Sequence, residues 1–60
     1  MKSQEEFLNI YFNLPLEERK NVVMILGKEP ITWTLAYQEI KNKTKKGQII
    51  LNMLKRLEIL

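Results

Sequence analysis

The sequence predicts a small all-α domain, a bundle of three to four helices with the last two joined by a tight turn. Three observations carry that expectation. Apolar residues recur at three- and four-residue steps through much of the chain, the period of a helix face. Residues that start and stop helices fall at the ends of those runs. The chain has 60 residues, enough for one core, so residues 1–60 are read as a single domain.

The first helix opens at Ser3. Ser3-Gln4-Glu5-Glu6 has the S-x-x-E form of a capping box, in which two side chains satisfy two orphaned backbone donors. Phe7, Ile10, Tyr11 and Leu14 then follow one helix face. Leu8 and Phe12 widen that face beyond what one small core needs. The excess either caps the bundle or forms a dimer seam, and Phe7, Leu8, Tyr11 and Phe12 are the candidate residues for a homodimer.

The second helix opens at Pro15, whose missing N–H is no loss in a first helical turn. Leu16 to Lys20 are mainly helix formers. Val22-Val23-Met24-Ile25-Leu26 alone would suit a strand, but no turn signal separates it from the helical run before it. The expectation is a helix continued to Gly27 as its C-terminal cap, with Pro30 preventing its resumption. Ile31-Thr32-Trp33 reads as a short extended link. Thr32 or Thr34 caps a third helix, with Trp33, Ala36, Tyr37 and Ile40 inward, and this helix frays over residues 41–43.

The fourth helix starts near Thr44 as N-cap and runs to the chain end. On a helical wheel Ile50, Met53, Leu54, Leu57 and Leu60 fall on one side. Lys45, Gln48, Asn52, Lys55 and Arg56 fall on the other, and Leu51 and Ile59 fit neither cleanly.

Composition excludes most chemistry. There is no Cys and no His, the only Ser is Ser3, and all seven acidic residues are Glu. Disulfides and thiolate metal sites are out, and the usual general bases and activated nucleophiles are missing. Glu5–Glu6 and Glu17–Glu18 sit in first turns of predicted helices, where carboxylates favour the positive end of the helix dipole. A binding protein without cofactor is expected, not an enzyme. No apolar run is long enough to cross a bilayer, and the N-terminus is too polar and acidic for a secretory signal. Asn42-Lys43-Thr44 matches the glycosylation sequon, which carries little weight without an export signal. The expected location is cytoplasmic, away from membranes.

Charge is uneven. The net charge is +3, yet residues 1–30 carry −1 and residues 31–60 carry +4. The stretch KNKTKKGQIILNMLKR, residues 41–56, holds six bases and no acid. A face kept merely soluble normally mixes signs, so a polyanionic partner is indicated.

The segment LAYQEIKNKTKKGQIILNMLKRLEIL, residues 35–60, resembles the helix-turn-helix and winged-helix DNA-binding families. Ile40 stands where such units place an apolar residue late in the first motif helix. Thr44 begins the turn, and Ile50, Leu54 and Leu57 take inward positions of the recognition helix. LKRLEIL resembles the L-x-x-L-x-x-x-G-L-I ending that precedes the wing, and LPLEERKNVVMIL resembles the supporting helix of these proteins and of sigma-factor region 4, so the likeness spans residues 14–60. The turn lacks the usual glycine, Gly47 coming shortly after, and no wing segment follows. The resemblance implies an all-α domain with a C-terminal helix-turn-helix, wing absent, that binds double-stranded DNA as a small transcriptional or replication regulator.

In that reading the helix over 45–60 enters the major groove. Gln48 and Asn52, four apart, are the candidate base readers, since amides can both give to and accept from the adenine edge. Lys41, Lys43, Thr44, Lys45, Lys46, Lys55 and Arg56 complete the candidate DNA-binding set, the bases meeting phosphates. The alternative is a helical protein–protein interaction module, gripping a partner through the apolar faces of the first and fourth helices with Leu51 and Ile59 exposed. A membrane-surface helix at 45–60 is the weaker third reading, because its apolar stripe is needed for the core. Trp33 and Tyr37, which could stack on bases, are expected inside instead.

Overall fold

The computed structural model describes residues 2–60, with side chains from Ser3 onward. In chain order the elements are α1 (Lys2–Asn13), a 3-10 turn at Glu18–Lys20, β1 (Val22–Leu26), β2 (Glu29–Thr32), α2 (Trp33–Lys41) and α3 (Lys45–Arg56). The fold is α+β. The all-α expectation fails over residues 15–32, where the expected second helix is a 3-10 turn followed by β1, which pairs with β2 as a two-stranded antiparallel hairpin.

The physical reason lies on both sides of Asn21. The helix formers after Pro15 close only i→i+3 hydrogen bonds: Glu18 N–H to the Pro15 carbonyl, Arg19 to Leu16 and Lys20 to Glu17, at 2.9, 3.3 and 3.4 Å. Such turns stay short, and Asn21 then turns extended at φ −74°, ψ 147°. Beyond it, the apolar run alternates as a strand. Met24 is buried while Val22 and Ile25 are 52% and 63% exposed. Gly27 and Lys28 form a two-residue loop between the paired Leu26 and Glu29. Gly27 has φ +66° and Lys28 is not among the positive-φ residues, the type II′ arrangement whose twist suits a hairpin. Gly27 is thus a hairpin residue, not a helix cap. Pro30 pairs with Ile25, one step from the loop-closing pair, where strand backbones point outward and a missing N–H forfeits no ladder bond. Val23 is the extra residue of a bulge between the Val22–Thr32 and Met24–Ile31 pairs.

Ser3 lies inside α1, so it does not hold the capping position expected of it. At the other end α1 has no basic residue in its last turn. Arg19 supplies the cation from the 3-10 turn. Its Nε donates to the Tyr11 carbonyl at 3.2 Å, its Nη2 to the Phe12 carbonyl at 3.4 Å, and the guanidinium lies 4.6 Å from the Tyr11 ring centroid. Thr32 is the cap of α2, its hydroxyl accepting from Leu35 N–H at 3.0 Å. Thr34 instead donates to the Arg19 carbonyl at 3.1 Å.

Phe7 and Tyr11 of α1, Met24 and Ile31 of the hairpin, Ala36 and Ile40 of α2, and Ile50, Leu51 and Leu54 of α3 make the core. Trp33 and Tyr37 are half-buried, Trp33 stacked on Phe7 and Tyr37 parallel to Tyr11 with centroids 4.4 Å apart. Two parts of the expected α3 face need correction. Leu51 is 5% exposed and belongs to the core, while Leu57, expected inward, is 53% exposed.

The reason is the way α3 ends. Its helix stops at Arg56, with Glu58 at φ +60°. Glu58 N–H bonds the Lys55 carbonyl and Ile59 N–H bonds the Leu54 carbonyl, a Schellman closure that re-aims everything after Arg56. The same closure ends α2. Lys43 sits at φ +55°, its N–H bonds Ile40, and Thr44 N–H bonds Glu39. No helix among the described residues is long and apolar enough to cross a membrane.

Candidate nucleic-acid interface

α3 is set on α2 by a contact that only glycine permits. A Cβ on Gly47 would stand 2.3 Å from the Glu39 carbonyl oxygen and 2.8 Å from the Ile40 nitrogen. The first turn of α3 therefore lies directly on the last turn of α2. The 42–44 turn between them is compact because Lys43 takes the left-handed conformation usually left to glycine. Thr44 locks the junction. Its hydroxyl accepts from Gly47 N–H at 2.9 Å and donates to the Glu39 carboxylate at 2.6 Å.

With Gly47, Ile50, Leu51 and Leu54 buried, helical spacing fixes what faces away. Lys45, Gln48, Asn52, Lys55 and Arg56 are all exposed on α3. Gln48 Nε2 donates to Asn52 Oδ1 at 3.3 Å, so the two amides are neighbours on one surface.

The other candidate residues divide. Lys41 is exposed, with its ammonium 5.7 Å from the Tyr37 ring centroid at the end of α2. Lys43 is exposed on the turn. Thr44 is half-buried and committed to the helix junction. Lys46 is half-buried and bridges to Glu29 of β2 at 2.7 Å, which ties the hairpin to α3. The structure thus gathers Lys45, Gln48, Asn52, Lys55 and Arg56 on one helix face, sets Lys43 beside Lys45 and Gln48, leaves Lys41 at the end of α2 against Tyr37, and gives Thr44 and Lys46 structural employment.

The candidate dimer seam also divides. Phe7 is fully buried and Tyr11 is 6% exposed, both within the chain's own core, so neither side chain can meet a second copy. Leu8 is partly buried. Phe12 is 58% exposed, its ring edge-on to Tyr11 and Tyr37.

One residue of the α3 face was missing from the sequence reading. Ile49 is 43% exposed. It stands four residues after Lys45 and three before Asn52, on the line furthest from the core. That spacing was readable, but an isoleucine beside Ile50 and Leu51 passes as one more core residue. Ile49, Asn52, Met53, Lys55 and Arg56 line a shallow depression of about 440 Å³. A second concavity of about 340 Å³ lies beside the face, between Gln4 of α1 and Lys43, Lys45 and Gln48. Comparison of the chain with known protein families, with curated proteins and with solved structures gave no match.

Proposed function

We propose that the protein binds double-stranded DNA, with the exposed face of α3 in the major groove. The observation that carries the reading is the pair of exposed amides, Gln48 and Asn52, ringed by Lys45, Lys55 and Arg56 on the face opposite the buried leucines. A helix of this diameter fits the major groove, and side-chain amides match the donor–acceptor pair of adenine. The cations neutralise phosphates and hold the register. Lys43, beside Lys45 and Gln48, and Lys41, at the end of α2, extend that grip. Lys46, engaged with Glu29, contributes less. In this reading the α2–turn–α3 unit works as a helix-turn-helix, and the protein is a small DNA-bound regulator without catalytic chemistry.

Substitution separates the roles. Lys45→Ala or Lys55→Ala is expected to weaken binding to every duplex and reduce the slope of log K against log salt by about one unit each. Asn52→Ala is expected to leave the slope unchanged and to cost about 1–3 kcal/mol only on preferred sequences. Absence of duplex binding in gel-shift titrations at low salt would refute the reading.

One observation favours a protein partner as a second reading. Phe12 and Leu16, at the end of α1 and just after it, are 58% and 74% exposed. Self-association there would give paired half-sites, and sedimentation of wild type against Phe12→Ala measures it.

A further inference from the structure

Ile49 occupies the position on α3 where an apolar side chain is least expected. Lys45, Ile49, Asn52 and Arg56 follow steps of four, three and four, which trace the outermost line of the helix. Three of those residues are polar or charged. The fourth is a branched hydrocarbon 43% exposed, next to the half-buried Met53. Burial elsewhere does not require it, because Ile50, Leu51 and Leu54 already fill the inner face. A partner that lay along this line would meet an apolar group among polar and cationic ones, and would match it best by offering an apolar group among polar and anionic ones.

In the major groove one group has that character, the C5-methyl of thymine. We propose that Ile49 is a specificity residue that packs on thymine methyls, so that the ridge selects A·T-containing steps. The inference rests on the DNA-binding reading and deepens it. Gln48 and Asn52 would pair with adenine N6 and N7, while Ile49, one turn from Lys45 and one turn from Asn52, covers the methyl of a thymine in the same or the adjacent pair. The shallow depression lined by Ile49, Asn52, Met53, Lys55 and Arg56 brings the apolar pair together with the two bases that would meet phosphates. Charge complementarity favours a nucleic acid over a protein partner, since residues 41–56 carry six bases and no acid.

The test removes the methyl without touching any hydrogen-bonding group. The full chain is titrated with an A·T-rich duplex and with the same duplex in which every thymine is replaced by uracil. Wild type is expected to bind the thymine duplex about fourfold more tightly for each methyl buried. Ile49→Ala is expected to bind both duplexes alike, with the salt slope of wild type and an unchanged circular dichroism spectrum. Equal affinity of wild type for both duplexes would overturn the inference while leaving DNA binding intact. A thymine preference that persists in Ile49→Ala would also overturn it, by assigning the preference to duplex shape. If neither duplex binds at low salt, the DNA reading itself falls and the inference with it. Loss of self-association in Ile49→Ala, with DNA affinity unchanged, would give the ridge to a second copy of the chain instead.

Discussion

The α2–α3 pair and the β1–β2 hairpin meet the rest of the molecule in different ways. At the helix crossing, backbone lies on backbone: Gly47 rests on Glu39 and Ile40 with no room for a single added carbon. At the hairpin, side chains make the contact. Met24 and Ile31 point into the core, Glu29 reaches Lys46, and Val22 and Ile25 remain outside. The first arrangement fixes the aim of α3 closely, which a surface that reads bases requires. The second gives the helices a floor without setting that aim. If the proposed DNA-binding function holds, recognition falls to the helices and support to the hairpin.

Two glycine substitutions sharpen that division. Gly47→Ala forces the helices apart and is expected to cost about 3 kcal/mol, the upper end of overpacking, as measured by urea denaturation. DNA affinity should fall with it, even in conditions where the variant stays folded. Gly27→Ala meets no atom within 4 Å. Its cost is the positive-φ turn backbone alone, about 1–3 kcal/mol, and duplex affinity of the folded protein should be unchanged. Equal losses of binding in both variants would erase the distinction between the two regions.

A smaller effect is expected at the turn. Lys43 holds φ +55°, where glycine carries no steric penalty. Lys43→Gly relieves about 1–2 kcal/mol of strain and gives back part of it through the freer unfolded chain. The net expectation is a gain of about 0.5 kcal/mol in stability together with a salt slope shallower by about one phosphate. A stabilised variant with an unchanged slope would remove Lys43 from the interface.

Much of α1, α2 and α3 was legible in the sequence, because their inner residues recur at helical steps and because Thr32 and Thr44 are strong caps. The hairpin was not. Its five-residue run of apolar side chains suits a strand and a buried helix alike, and the helix formers before it tipped the balance. The deciding signal was Gly27-Lys28, which closes a two-residue hairpin as readily as it caps a helix. The end of α3 was missed for a related reason. A left-handed glutamate at position 58 leaves no mark in the pattern, so Leu57 looked like the next inward residue. Of the candidate site, the exposure of Gln48 and Asn52 followed from spacing, whereas the engagement of Lys46 with Glu29 needed the hairpin's position.

The most direct measurement is a backbone amide NMR titration of the full chain with a short A·T-rich duplex at low salt. If α3 is the reading surface, shift changes concentrate at Lys45, Gln48, Ile49, Asn52, Lys55 and Arg56, with Lys41 and Lys43 at the edge, and leave Val22 and Ile25 unmoved. Changes centred on the hairpin or on Phe12, or none at any duplex concentration, would contradict it.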